Sequence, residues 1–186
     1  MPPKVKVSSK DIVNAAVEFV RSEGVDTLNA RSLAKVLDCS TQPIFSNFKS
    51  MDEVKEAVLD RAISICNEYT SREIESGLYP VYKASGMGYI RFAKEEPELF
   101  KLLYMRDRKS ELVSKEASLF DRMQLLVQGN TGLDSDRARL FHLEMWAFVH
   151  GIAVMFASGY LDLDWKLVSQ MLTDSYLGLK KQYETE

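Results

Sequence analysis

Apolar residues recur at the spacing of an α-helix along almost the whole chain of 186 residues. Near the N-terminus, one apolar face at positions i, i+3, i+4, i+7 and i+8 is formed by Ile12, Ala15, Ala16, Phe19 and Val20. No segment alternates apolar and polar residues in the way of strands joined by hairpin turns, and no internal repeat is present. The sequence therefore predicts an all-α protein.

Capping residues predict where the helices begin. Ser8 and Ser50 each stand three residues before an acidic residue, which is the spacing of a capping box. Asn29 and Ser40 are placed to cap two short helices between them, and Gly24 is placed to end the first helix. With a fourth helix from Ser50 to about residue 77, the remaining pattern predicts helices over 81–95, 98–106, 109–127, 135–160 and 165–183. About nine helices are expected in total.

The net charge of −3 is unevenly distributed along the chain. Residues 1–50 carry seven basic and five acidic side chains, a formal charge of +2, so the rest of the chain carries −5. Attraction to phosphate acts over a Debye length of about 8 Å at physiological salt, so the local charge matters more than the sum. The N-terminal segment is the part suited to nucleic acid.

Residue types that would support catalysis or metal binding are sparse. The two histidines and the two cysteines have no metal-ligand spacing, and the GxSxG, HExxH and Walker A motifs are absent from the sequence. We expect no catalytic residues, no metal site and no cofactor. The apolar run at 145–157 is too short to span a bilayer, which takes about 20 residues, and residues 1–10 lack the apolar stretch of a signal peptide. A soluble, cytoplasmic protein without a membrane partner is expected.

Residues 29–48 have the lengths of a helix-turn-helix, with a tight turn at Asp38 between two short helices. In such a unit the second helix enters the major groove of DNA while the first crosses the backbone. Polar side chains suited to base edges occupy the outward face of the second helix: Thr41, Gln42, Ser46 and Asn47. Basic side chains suited to phosphates flank it: Arg31, Lys35 and Lys49. The alternative is a helical hairpin with an ordinary solvated face.

The same segment resembles a known family. R-S-L-A at 31–34, L-D-C-S-T-Q-P-I-F-S-N-F at 37–48 and K-S-M-D-E-V at 49–54 are similar to the DNA-binding domain of TetR-type transcriptional regulators, over residues 9–59. The resemblance implies that residues 40–47 form the recognition helix. It places nearest the bases Thr41, Gln42 and Pro43. It places near the phosphates Phe45, Asn47 and Lys49.

Four positions depart from the family pattern. Asp38 and Gln42 stand where the family has glycine, Phe45 lacks the hydroxyl of the usual tyrosine, and Met51 replaces the usual lysine. Because the last two changes each remove a phosphate contact, we expect modest and strongly salt-dependent affinity for DNA. Whether the basic residues Lys4 and Lys6 contact DNA or belong to a disordered tail is left open.

A single helix-turn-helix reads few base pairs, so a homodimer that spans two half-sites of a palindromic operator is expected. Residues 135–160 are apolar almost all round, and residues 165–183 carry a matching stripe. Two such helices from each subunit would form a four-helix bundle, which is also the usual dimer of the family. The alternative is a core helix fully buried in a monomer. The residues expected at the interface are Phe148, Ile152, Met155, Val168, Met171, Leu172, Ser175 and Leu179.

The motif W-A-F-V-H-G at 146–151 resembles the W-x-x-x-H-G mark of one branch of these regulators. Family members usually enclose an effector pocket between the middle helices, and such pockets are mostly apolar. The residues expected to line it are Phe92, Tyr104, Met123, Trp146 and His150. The alternative is that these side chains are plain core, with His150 hydrogen-bonded inside it.

These observations predict two domains, a three-helix DNA-binding domain at 1–50 and a larger effector-binding and dimerisation domain at 51–186. The predicted function is a regulator, expected to be a repressor, that a small apolar ligand of unknown identity releases from double-stranded DNA. The alternative is a dimeric DNA-associated helical protein whose main partner is another protein.

Overall fold

The computed structural model describes residues 7–105 and 114–184, and no strand occurs in these two ranges. Lys4 and Lys6 lie outside the described residues, as does the part of the predicted helix 109–127 that precedes residue 114. The described residues form nine α-helices: α1 Ser9–Glu23, α2 Ala30–Val36, α3 Gln42–Asn47, α4 Met51–Glu75, α5 Val81–Glu95, α6 Pro97–Tyr104, α7 Ser114–Thr131, α8 Ser135–Ala157 and α9 Trp165–Glu184. The predicted all-α class and the number of helices are confirmed.

Two of the predicted helix starts have the expected caps. The Ser8 side chain accepts a hydrogen bond from the Asp11 backbone N–H, and the Asp11 carboxylate accepts one from the Ser8 N–H in return. The Asn29 side chain accepts hydrogen bonds from the backbone N–H groups of Arg31 and Ser32. At the end of α1, Gly24 has a φ of 76°, a conformation that glycine adopts without strain.

The predicted cap at Ser40 is wrong. The residue before α3 is Thr41, which already has right-handed helical dihedral angles and makes no side-chain cap hydrogen bond. Pro43 lies in the first turn of α3, where its missing N–H leaves one donor fewer to satisfy. The start of α4 is also only partly as predicted, because the Glu53 carboxylate accepts from the Lys49 N–H at 2.5 Å and not from Ser50.

The described residues fall into two compact units. The first unit takes residues from 1–67 and 96–106, and so contains α1, α2, α3, the first part of α4, and α6. The second unit takes residues from 68–95 and 107–186, with the rest of α4 and helices α5, α7, α8 and α9. The predicted functional boundary at residue 50 stays a prediction.

In the first unit, α1 packs against α2, α3 and α6. The fully buried side chains of this core include Ile12, Val20, Leu33, Ile44 and Phe100. Arg21 on α1 also forms a two-pronged ion pair with Glu96, just before α6, through Nε at 2.8 Å and a terminal guanidinium nitrogen at 2.7 Å. The Glu96 side chain is only 12% exposed, so this pair joins α6 to α1 in a partly desolvated setting.

In the second unit, α8 packs along α5 and α7, and α9 packs against α5 and α8. Two matching hydrogen bonds tie α5 to α8: Tyr82 Oη to His142 Nδ1 and Tyr89 Oη to His150 Nδ1, both 2.9 Å. Because both residue numbers increase from one bond to the next, α5 and α8 run in the same direction. A buried cluster closes one end of the unit: Val127, Ala138, Phe141, Met145 and Tyr183.

Of the helices in the described ranges, α8 is long and apolar enough to cross a membrane by length and composition, and 44% of its apolar window is buried inside the chain. The core helix of a soluble protein passes the same test, so a single such helix is a weak indication.

Gly88 on α5 lies close to the backbone of α4 within the second unit. A Cβ at this position would lie 2.7 Å from the Thr70 Cα and 2.9 Å from the Tyr69 carbonyl oxygen, both of them backbone atoms. Because backbone cannot give way as a flexible side chain can, we expect Gly88→Ala to lower the free energy of unfolding by about 2 kcal/mol. Urea denaturation of the purified protein measures this difference.

Gly129→Ala is the matched control for this prediction. Gly129 is also helical, but a Cβ there meets no atom within 4 Å. Alanine has the higher helix propensity by up to about 1 kcal/mol, so we expect this variant to be as stable as the wild type or slightly more stable. Equal stability of the two variants would contradict the close approach of α5 to α4.

The burial of His142 leads us to expect a loss of folding stability in mild acid. The residue is 7% exposed, and burial lowers the pKa of its imidazole from 6.5 to about 4. The unfolded chain therefore binds more protons than the folded chain between these values, so stability is retained above pH 6.5 and lost as the pH falls towards 4. Between pH 7 and pH 5 this group alone should lower the free energy of unfolding by about 2 kcal/mol.

The measurement is urea denaturation at both pH values for the wild type and for His142→Gln, which cannot titrate. The wild type should lose more stability than the variant on going from pH 7 to pH 5. The same loss in both proteins would show that the imidazole is not held neutral in the folded chain.

Candidate functional site

The α2–α3 segment has the geometry of a helix-turn-helix. Asp38 occupies the turn with a φ of 48°, in the left-handed region that aspartate enters more readily than most residues. The Cys39 N–H donates to the Ala34 carbonyl at 3.0 Å, which closes the turn. Ile44 is fully buried and Phe48 is 9% exposed, so these two side chains fix α3 to the first unit by its inner face.

The outer face of α3 has two kinds of polar residue. Gln42 is exposed, and no hydrogen bond of its side chain occurs among the described residues. The Ser46 hydroxyl instead donates to the Gln42 carbonyl at 2.8 Å, and the Asn47 side-chain amide donates to the carbonyls of Pro43 at 2.8 Å and Val7 at 3.3 Å. Ser46 and Asn47 therefore make hydrogen bonds inside the first unit, in addition to being exposed. Sequence reasoning missed the bond to Val7 because it joins residues forty positions apart.

The other residues predicted for DNA binding lie on or beside the same two helices. Exposed among them are Arg31, Lys35, Phe45 and Lys49, whereas Thr41 and Pro43 are half-buried. Phe45 is 49% exposed, which is unusual for a phenyl ring beside so many polar groups. All nine residues belong to the first unit.

Two open grooves of about 750 and 610 Å³ lie on the surface of the first unit. The larger is bordered by α1, Phe48 and α4, and the smaller by α1 and α2. None of the five residues predicted to line an effector pocket borders either groove.

The five residues predicted for the effector pocket have different surroundings. Phe92 is fully buried and meets Tyr69 edge-on, with ring centroids 5.8 Å apart. Met123 is half-buried, and its thioether sulfur lies 3.5 Å from the Ser85 hydroxyl. Tyr104 belongs to the first unit, where its hydroxyl lies 3.8 Å from the Cys66 thiol. Burial raises the pKa of that thiol to about 11, so Cys66 is a neutral core residue at physiological pH.

Trp146 and His150, which complete this predicted set, form a stack on α8 with ring centroids 4.9 Å apart. Trp146 is 44% exposed, whereas His150 is half-buried and bonded to Tyr89 on α5. Burial lowers the pKa of His150, which favours the neutral imidazole. That the five residues line one pocket stays a prediction.

The residues predicted for the dimer interface divide into two groups. Ile152, Val168 and Leu172 are at most 3% exposed within a single chain, so they have almost no surface left to bury against a partner. The half-buried group is Phe148, Met155, Met171, Ser175 and Leu179. Exposed apolar side chains that the prediction missed are present on the same two helices: Leu140, Leu143, Trp146, Leu167 and Leu177. Helical periodicity could not separate these groups, because α8 is apolar on almost every face.

Gly151 lies on α8 and is half-buried. A Cβ at this position would meet no atom within 4 Å, so nothing inside the chain requires glycine there.

Within the described residues, no group of three or more His, Cys, Asp or Glu side chains is placed to hold a metal ion.

Comparison with known proteins identifies the family. The family model described as the tetracyclin repressor-like C-terminal domain matches residues 82–175, about half of the chain. An uncharacterized HTH-type transcriptional regulator of Bacillus subtilis is 22% identical over 168 residues, covering 84% of this chain and 83% of that protein. A second such regulator, from Mycobacterium tuberculosis, is 22% identical over 161 residues, covering 84% of this chain and 73% of that protein.

Solved structures share the fold. A TetR-like transcriptional regulator from Rhodococcus sp. RHA1 superposes with a TM-score of 0.70 at 17% identity, over 100% of this chain and 98% of that one. A protein of unknown function from the same organism superposes with a TM-score of 0.74 at 21% identity, over 98% of both chains. The names of the two HTH-type relatives agree with the helix-turn-helix geometry of the first unit. The chain thus belongs to the TetR family and is a DNA-binding transcriptional regulator of the helix-turn-helix type.

Proposed function

We propose that this regulator is a repressor that binds a palindromic operator as a homodimer and leaves it when a small apolar ligand binds. The observation that carries the proposal is the construction of α3, a helix held by buried Ile44 and Phe48 that presents Gln42 and Phe45 outwards. In this proposal α3 enters the major groove and α2 crosses the phosphate backbone. The protein works in the cytoplasm, and it catalyses no reaction.

Basic residues around α3 supply the contacts to phosphate. Arg31 and Lys35 stand one helical turn apart on α2, and Lys49 lies two residues after the end of α3. All three are exposed, and none of their side chains forms an ion pair among the described residues. Such contacts position the protein on DNA and are sensitive to salt, whereas base-edge contacts set the sequence preference. Ser46 and Asn47 have a structural role in this proposal, because their side chains hold α3 and the preceding chain in shape.

Exposed apolar surface on α8 and α9 supports the homodimer. Leu140, Leu143 and Trp146 on α8 are each more than 40% exposed, as are Leu167 and Leu177 on α9. A surface with this many exposed large apolar side chains is typical of an interaction site. Gly151 on α8 supports the same assignment, since glycine lowers helix stability by about 1 kcal/mol and a Cβ at this position would meet no atom of its own chain within 4 Å.

The position of α6 supports release by a ligand. α6 belongs to the first unit, whereas α5, which ends at Glu95, belongs to the second, and Glu96 alone separates the two helices. Glu96 is also the residue that Arg21 holds on α1. A ligand that shifts the end of α5 would therefore pull on α1 through a covalent link and an ion pair. Linkage requires the ligand to prefer the arrangement that does not fit the operator.

The contacts to DNA predict how two lysine variants behave. Lys49→Gln should weaken binding to all DNA sequences to a similar degree and reduce the slope of log K against log salt by about 1. Lys166→Gln is an equal change of charge on α9. It should leave both the affinity for DNA and the salt slope unchanged, because α9 has no DNA contact in the proposal. Fluorescence anisotropy with duplexes selected by the wild type from a randomised library measures both quantities over a series of salt concentrations.

Two outcomes of this measurement contradict the proposal. Failure of the wild-type protein to enrich any sequence from the library would refute operator binding itself. An equal loss of affinity in Lys49→Gln and Lys166→Gln would show that the effect is one of total charge and that α3 is not the centre of the interface.

The dimer surface is tested best at Gly151. An arginine at this position has open space in the monomer, yet its bulk and charge would lie inside an α8–α9 bundle. We expect Gly151→Arg to sediment as a monomer with unchanged helix content, and Gly129→Arg on α7 to remain a dimer like the wild type. Substitution of Ile152 would not separate loss of the dimer from loss of folding, because this side chain is buried in its own chain. A dimeric Gly151→Arg protein would place the interface elsewhere.

A further inference from the structure

Phe45 has a chemical character that differs from that of the surface around it. It is 49% exposed, and in the described parts of the chain its ring contacts no other aromatic ring. Its neighbours on the outer side of α3 are the amide of Gln42 and the hydroxyl of Ser46, whereas the apolar residues Ile44 and Phe48 point into the core. Packing of the first unit therefore does not require a phenyl ring at this position.

A phenyl ring has few suitable contacts on double-stranded DNA. It neither donates nor accepts a strong hydrogen bond, so it offers nothing directional to a phosphate oxygen. The base edges in the major groove are hydrogen-bond donors and acceptors, with one apolar exception, the C5-methyl group of thymine. Covering the polar edges with a phenyl ring would remove their water without replacing its hydrogen bonds.

The position of Gln42 indicates which thymine of the operator lies near Phe45. It precedes Phe45 by three residues, so the two side chains share one face of α3, about 4.5 Å apart along the helix axis. Base pairs stack about 3.4 Å apart, so both side chains reach the same base pair or neighbouring ones. Glutamine pairs through its amide with the N6 and N7 atoms of adenine.

We infer that Phe45 is a specificity-determining residue that contacts the C5-methyl group of a thymine in each half-site, within one base pair of an adenine bound by Gln42. This inference rests on the proposed function, in which α3 is the recognition helix. It names the chemistry of the operator: each half-site contains an A·T pair at the contact of Phe45, and the methyl group of that pair contributes to binding.

The test replaces thymine by uracil, which removes the methyl group alone. Half-sites are first selected by the wild-type protein from randomised duplex DNA, and each thymine is then replaced in turn. In the wild type, one position per half-site should lose affinity about fourfold, the value for one buried methyl group. In Phe45→Ala the same replacement should have no effect, because the contact is already gone. In Phe45→Leu part of the effect should remain.

Two further variants complete the design. Val36→Ala removes a side chain of similar exposure from α2, and it should keep the uracil sensitivity of the wild type. Gln42→Ala should lose its preference at an adenine within one base pair of the sensitive thymine. Because Phe45 and Val36 are about half exposed, their variants should fold, and circular dichroism verifies this.

The outcomes separate the inference from the proposed function. Selection of a sequence with no uracil-sensitive thymine, or a uracil effect that persists in Phe45→Ala, would overturn the role of Phe45 while leaving operator binding intact. Failure to select any sequence would overturn the proposed function as well. A uracil effect in the wild type that disappears in Phe45→Ala establishes the contact, since any change in DNA shape would act on both proteins.

Discussion

A helix of six residues is not stable in water by itself, because the first turn fixes several residues for a single hydrogen bond. α3 has this length, so its shape and direction depend on the structure around it. Ile44 and Phe48 attach its inner face to the core, Asp38 sets the turn before it, and Asn47 binds the backbone at Val7. The surface that α3 offers to DNA in the proposed function is therefore determined mainly by side chains that face away from that surface.

The same dependence explains why the DNA-binding unit is not a continuous stretch of chain. α6 is far from α1 in the sequence, yet it contributes two fully buried side chains, Leu99 and Phe100, to the core of the first unit. The ion pair between Arg21 and Glu96 adds direction to this packing, because two parallel hydrogen bonds allow only one relative orientation of their groups. Apolar packing alone would tolerate a small slide of α6 along α1. The unit that must keep its shape to recognise DNA thus contains the element next to α5 in the chain.

Several local features of this fold could be predicted from the sequence, although the local cap predicted at Ser40 is wrong, whereas features that depend on distant contacts could not be predicted. The caps at Ser8 and Asn29 were predictable because each involves residues within three positions. The hydrogen bond from Asn47 to Val7 was not predictable, since the two residues lie forty positions apart. Ile152 shows a different limit of sequence-based prediction. On a helix that is apolar almost all round, the periodicity predicts that residues are buried. It does not show whether they are buried by their own chain or by a second copy.

Two sets of exposed apolar side chains differ in their surroundings, and the difference favours two kinds of partner. Phe45 is a single ring among hydrogen-bonding groups in the basic part of the chain, which suits a polar, negatively charged partner with isolated apolar groups. Leu140, Leu143 and Trp146 are three exposed apolar side chains within seven residues of α8, in the part of the chain that carries the negative charge. That charge disfavours contact with phosphate, whereas the apolar surface gains free energy against another surface like itself. In the proposed function, residues 1–50, which carry the positive charge, therefore contact DNA, and the exposed face of α8 and α9 contacts a second copy of the chain.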